Sequence, residues 1–427
     1  MEDSGLEEIR AARRELDDVI AEIRTVPGYE DFLAAPTFED VANAAREQPL
    51  VYLAAADPGG LGLVVRGDDV LHIPLPQLTA DVVRDRVESY LQQYAAFRRD
   101  QKAGLRGWRA ALDAVAEWLW DAAVGPVIDA THPAPAVVMV AGGLLSLLPL
   151  HAAWIDDATA PTGRRYALDA TTFSYVPNAR SLTAARDLAR GSSANRLLAV
   201  VDPPRLSPAT PLPLASLEAR AAAAGFTGSA ELLPGPAATA SNVEGGLRRA
   251  DVVHLACHGF ADLAVPLESG LLLAGEDVLR LRDILALSLR VRLAVLSACE
   301  TSMPGTELPD EVVALPTGLL QAGVAGIVAS MWAVPDPATA MLMTEFYRRW
   351  RWDQLPPAMA LQQSQQWLRD TTNGDKRKVY EDALNSAAEW LPPDVGDAFL
   401  DRLAYREPDD RDEQGVEAWA AFAHIGV

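Results

Sequence analysis

Two residues at the ends of two apolar runs are the natural partners for thiol chemistry in this sequence. His254-Leu-Ala-Cys-His-Gly259 closes one run and Ser297-Ala-Cys-Glu-Thr301 closes the other, with His258 and Cys299 41 positions apart. Each run reads as a buried strand. As neighbours in a parallel sheet, the two would bring an imidazole and a thiol to one strand edge, where active sites of open α/β sheets form. The chemistry would be attack of a Cys299 thiolate on a peptide carbonyl. A thiol needs a lowered pKa or an adjacent base to ionise at neutral pH. His258 would take that proton and later pass it to the leaving amine. The backbone N–H groups of Gly259 and Cys299 are the candidate oxyanion donors, and a glycine permits close backbone approach.

Strand alternation sorts the neighbours. His254 and His258 share a face with Val252 and Ala256, and Cys257 points the other way. Cys257 reads as a small buried hydrophobe and His254 as a hydrogen-bonded core residue. Trp118 and Trp120 read as packing residues, and His151 as a structural hydrogen-bonding group. Two cysteines and six histidines without ligand spacing imply no metal, and nothing in the sequence calls for a cofactor.

The elements that must position the pair alternate between strand and helix. Leu197–Val201, Val252–Cys257, Leu271–Leu273, Leu293–Ala298 and Gly326–Met331 read as strands. Leu214–Ala224, Val278–Leu285, Val312–Ala322 and Thr339–Arg349 read as helices. The fold class expected is α/β, a mostly parallel sheet flanked by helices. Upstream, Leu50–Leu53, Leu61–Val65, Val70–Ile73 and Ala136–Val140 read as strands. Ala80–Val124 reads as one long helical stretch. Leu6–Ile23 reads as an amphipathic helix that packs on its own domain, with docking of a partner as the alternative. A linker is expected at 184–195, an irregular proline-rich loop at 203–213, and a helical or mobile charged surface insertion at 371–415.

Net charge is −22, from 37 basic and 59 acidic residues, which argues against a nucleic-acid partner. No apolar run reaches the roughly 18 residues of a membrane span, so no membrane is expected. The start of the chain lacks signal-peptide character, and two cysteines suit a reducing cytoplasm. No Gly-x-Ser-x-Gly elbow, His-Glu-x-x-His or phosphate-binding loop is present.

Several words, in order, resemble the CHAT family, caspase-like cysteine peptidases related to separase. Val253-His-Leu-Ala-Cys-His-Gly259 is similar to its histidine motif and Leu296-Ser-Ala-Cys-Glu-Thr301 to its cysteine motif. Glu268-Ser-Gly-Leu-Leu-Leu273 is similar to the strand between them. Glu311–Gly323 and Ile327–Asp336 are similar to the following helix and strand, and Trp419–Gly426 to the closing strand. Leu148-Pro-Leu-His-Ala-Ala153 and Ser174-Tyr-Val-Pro177 fit the N-terminal portion.

The resemblance implies a caspase-like sheet with a degenerate N-terminal half, here 1–190, beside a protease half, 191–427. It implies that His258 and Cys299 form the dyad of a cysteine endopeptidase and that Gly259 helps form the oxyanion hole. It implies acidic residues near the pocket for the substrate's P1 residue. Asp336 is the first candidate, with Asp310 and Glu311 behind it. A carboxylate there would favour a basic P1 residue, and the alternative for Asp336 is a helix-capping role. Family members are often fused to tetratricopeptide repeats or an NTPase, neither of which is seen in this sequence, so either a regulatory partner carrying such a module acts in trans or the sequence is part of a longer protein. Two loops beside the pair, 261–268 and 302–310, are where remodelling would switch activity, in a bacterial signalling or defence pathway. The alternative function is a non-catalytic scaffold or interaction module.

Overall fold

The computed structural model of the chain describes residues 2–27, 29, 32, 36–205, 212–226, 228–262, 264–297 and 314–427. Continuous apolar runs such as Leu197-Leu-Ala-Val-Val201 become strands buried on both faces, as parallel sheets require. In chain order the strands are β1 Leu50–Ala54, β2 Gly60–Arg66, β3 Asp69–Leu75, β4 Ala136–Ala141, β5 Trp154–Asp156 and β6 Arg164–Tyr166. They continue as β7 Thr172–Tyr175, β8 Leu197–Val201, β9 Ala230–Pro234, β10 Val252–Ala256 and β11 Gly259–Phe260. The remainder are β12 Gly270–Leu272, β13 Val278–Arg280, β14 Val291–Leu296, β15 Val324–Ser330 and β16 Phe422–Gly426.

Among the described residues, eleven of these form one sheet in the order β3-β2-β1-β4-β7-β16-β15-β14-β10-β8-β9. From β15 to β9 every pairing is parallel. β1, β4, β7 and β16 are likewise parallel to one another. The two parallel sets meet where β15 and β16 pair antiparallel. The α/β class and the mostly parallel sheet expected from the sequence are therefore present.

The pairing of β7 with β16, next to this junction, is tied by buried polar groups. The Ser174 hydroxyl lies 2.9 Å from His424 Nδ1. His151 Nδ1 lies 2.9 Å from the Tyr175 hydroxyl, and its Nε2 2.9 Å from the Ala420 carbonyl. The structural role expected of His151 is thus its role. Burial holds both imidazoles neutral. It lowers His151 to about 4 against the pull of the Ala420 carbonyl, and lowers His424, with help from the Arg292 cation, to about 3.

Four expectations need correction. The helical stretch 80–124 is not one rod. It breaks at Asp100, whose carboxylate accepts from the Ala103 N–H at 3.0 Å and starts a second helix. Helices Ala80–Arg99 and Gln101–Leu119 fold back as a hairpin, and Gly104 permits their contact because a Cβ there would collide with the Phe97 backbone. The expected helix 278–285 begins as β13, with helix only at Leu281–Leu285. The expected linker is largely the helix Ala179–Arg190. Along the N-terminal helix, Glu2–Ile23, the stripe residues Leu16 and Val19 are 56% and 47% exposed rather than packed on the domain.

The charged stretch after 371 is built into the fold. Helices Asn373–Asn385 and Pro393–Leu403 enclose a fully buried Lys376, whose ammonium meets Glu413 at 2.5 Å. A buried cation persists only when paired in this way.

Candidate active site

β10 and β14 are direct neighbours, with Leu255 opposite Leu296. The residues that follow each strand therefore leave the sheet side by side at one edge. From β10 come Cys257 and His258, and from β14 comes Ser297. Cys299 lies two positions further on, outside the described residues, as do Asp310, Glu311 and the 302–310 loop. His258 is partly buried, and its carbonyl accepts from the Leu272 N–H at 2.8 Å. Gly259 pairs with Leu271 in the small antiparallel sheet β11-β12-β13. That sheet fixes the backbone on which the imidazole is carried.

A cavity of about 20 Å³ opens between the strand ends, lined by Glu218, Cys257, Ser297, Trp332, Val334 and Asp336 among others. Cys257, 1% exposed, is part of its wall. Asp336 is the first residue of the helix Asp336–Arg351 and does not cap it. Its Oδ2 instead accepts from the Leu214 N–H, 2.9 Å away, at the start of the helix Ala215–Ala224. Burial raises its carboxyl above the ordinary value. The Leu214 N–H and the Arg402 cation oppose this, and the negative charges of Glu218 and Asp202 add to it.

Glu218 was not anticipated from the sequence. It is 2% exposed and faces the same cavity. His254 Nε2 lies 3.2 Å from its Oε1, and His254 Nδ1 lies 3.2 Å from the Tyr347 hydroxyl. His254 is fully buried, as a core residue. The Glu218–His254 contact is out of line for a hydrogen bond, so Glu218 Oε1 has no hydrogen-bond partner among the described residues, and neither has Ser297 Oγ. A buried carboxylate without a donor is costly. Two carboxyl groups, Glu218 and Asp336, thus face one small cavity. The signal for Glu218 was in the sequence: it lies four positions after Leu214 and four before Ala222, on the helix face that packs inward.

Among the described residues no group of three or more His, Cys, Asp or Glu could hold a metal ion. No described helix is long and apolar enough to cross a membrane.

The sheet, its flanking helices and the paired strand ends define a caspase-like α/β fold. In overall shape the chain is similar to yeast separase in two crystal structures of the Saccharomyces cerevisiae separase–securin complex. One has a TM-score of 0.55 at 9% identity over 91% of this chain, and the other 0.52 at 9% identity over 76%. The chain spans under a third of those separase chains, 30% and 29%. The Arg-specific cysteine proteinase gingipain R also matches, at a TM-score of 0.36 and 10% identity over 74% of this chain and 67% of its own. No curated protein matches the chain in sequence. The chain belongs to the CHAT domain family, whose pattern it matches over residues 113–427.

Proposed function

We propose that the chain is a cysteine endopeptidase that cleaves a protein substrate after a basic residue. Cys299 is the nucleophile and His258 its base. The proton passes from the Cys299 thiol to His258 Nδ1 or Nε2 as sulfur bonds to the carbonyl carbon. It passes on to the leaving amine as the C–N bond breaks, leaving a thioester that water hydrolyses. The N–H groups of Gly259 and Cys299 hold the oxyanion. The side chain of the P1 residue, lysine or arginine, enters the cavity, where Glu218 and Asp336 accept its donors. A regulatory protein partner and a setting in bacterial signalling or defence, in a reducing cytoplasm, complete the reading.

The observation that carries it is the buried Glu218 carboxylate, whose Oε1 has no hydrogen-bond partner among the described residues, in a cavity between the ends of β10 and β14. The test compares new protein N-termini in cells carrying the wild-type chain or Cys299→Ala. Termini that follow lysine or arginine and vanish in Cys299→Ala are expected. A peptidyl electrophile should label Cys299 and leave the buried Cys257 untouched. Identical termini in the two strains, with no labelling of Cys299, would return the chain to the scaffold reading.

A further inference from the structure

We propose that the helical hairpin 80–119 is a latch that keeps the substrate edge of this site closed, and that activation displaces it. The proposal rests on the peptidase reading and adds its regulation. Residues 331–336 leave the end of β15 at the site edge, and Trp332, Val334 and Asp336 wall the cavity. An extended peptide binds such an edge by pairing its own backbone with the exposed backbone of the protein. In this segment the Ala333 N–H is already engaged, donating to the Tyr94 hydroxyl at 2.8 Å. Substrate backbone and Tyr94 therefore compete for one donor.

The hairpin holds the segment at two further points. Trp108 packs edge-on against Trp332, ring centres 6.0 Å apart. Arg109 Nε meets Glu417 Oε1 at 2.7 Å, while the Glu417 carbonyl accepts from Trp332 Nε1 at 2.9 Å. The cavity walled by this segment has about 20 Å³, room for one water and far too little for a lysine or arginine side chain. An occupied N–H and a cavity too small for the P1 side chain thus coincide in the same few residues, under the same hairpin. Tyr94, Trp108 and Arg109 also precede the span 113–427 that matches the family.

The test uses the full chain with Tyr94→Phe, which keeps the ring between Phe97 and Trp108 and removes only the hydroxyl. Arg109→Ala, at a largely exposed side chain, is the second variant. Two readouts are taken: turnover of a fluorogenic peptide with arginine at P1, and binding of the fluorescein-labelled peptide to chains that also carry Cys299→Ala. Release of the hydrogen bond from the Ala333 N–H should raise both by roughly three- to tenfold in Tyr94→Phe, and by less in Arg109→Ala. Unchanged or weaker binding in a Tyr94→Phe chain that melts like wild type overturns the latch and makes the hairpin a brace. Tighter binding without turnover in any chain leaves the latch standing and removes the peptidase reading. Turnover that is equal in wild type and Tyr94→Phe removes the latch alone. Binding to no chain removes both.

Discussion

The strands on either side of the β15–β16 junction run in opposite directions, so their C-termini open at opposite edges of one sheet. At one edge β10 and β14 lead into His258 and Ser297, with Cys299 two positions beyond. At the other, β4 and β7 lead into Ala141-Gly-Gly143 and Tyr175-Val-Pro177. Parallel strands supply both edges with the same kind of backbone. What differs is whether polar side chains are used up inside the protein. The Tyr175 hydroxyl is tied to both the backbone N–H and the ring of His151. Glu218 Oε1 and Ser297 Oγ, at the opposite edge, have no hydrogen-bond partner among the described residues. Architecture offers two edges, and at the one proposed to take a ligand a buried carboxylate oxygen and a buried hydroxyl lack hydrogen-bond partners among the described residues.

This contrast predicts that one edge governs turnover and the other only stability. His258→Ala should lower peptide turnover by about 10³-fold, within the range of general acid–base catalysis, with an unchanged melting temperature. Cleavage kinetics beside a thermal melt checks both halves of that statement.

Acid should act on the pairing of β7 with β16. His151 and His424 carry pKa values of about 4 and about 3 when folded, against 6.5 when exposed. As pH falls the unfolded chain binds these protons first. The stability they support is therefore full above pH 6.5 and is lost progressively toward pH 4 and 3. At pH 5 the two together should cost about 4 kcal/mol relative to pH 8, read by urea unfolding at the two pH values.

Glu218→Gln should lower kcat/KM for an arginine P1 peptide by about 10- to 100-fold, the worth of a charge-assisted hydrogen bond, and spare a norleucine analogue. An equal loss on both peptides would contradict a role in reading charge. Tyr175→Phe should destabilise the fold by about 1–2 kcal/mol in a denaturant titration and leave turnover alone. The smallest effect is expected of Asp336→Asn, about a few fold on the same arginine peptide. Its Oδ2 already serves the Leu214 N–H, which an asparagine oxygen can also accept.

Much of the His258 edge was legible because its strands are uninterrupted apolar runs. β8, β10, β14 and β15 each fall on a run that reads as buried from composition alone. The words around His258 and Cys299 placed the chain in its family. The hairpin break at Asp100 was missed because one capping carboxylate decides it within a strongly helical stretch. The helix 179–190 was missed because alanine, arginine and threonine give little apolar contrast. Lys376 and Glu413 looked like surface charge, and only their meeting across 37 positions makes burial tolerable. Glu218 is the same case. Its helix face was readable, but its cavity exists only where β10, β14 and the helix 336–351 converge.

The placement of β16 has a temporal consequence. It lies between β7 and β15 in the sheet, yet it is made after every other strand described, more than 90 residues behind β15. While the chain is being synthesised, the two parallel sets can form only as separate sheets with facing open edges. Such edges invite pairing with other chains. The long stretch between β15 and β16, with its own buried ion pair, sets how long a nascent molecule remains in that exposed state. A ribosome-bound chain halted before residue 422 should therefore engage chaperones that a completed one no longer needs.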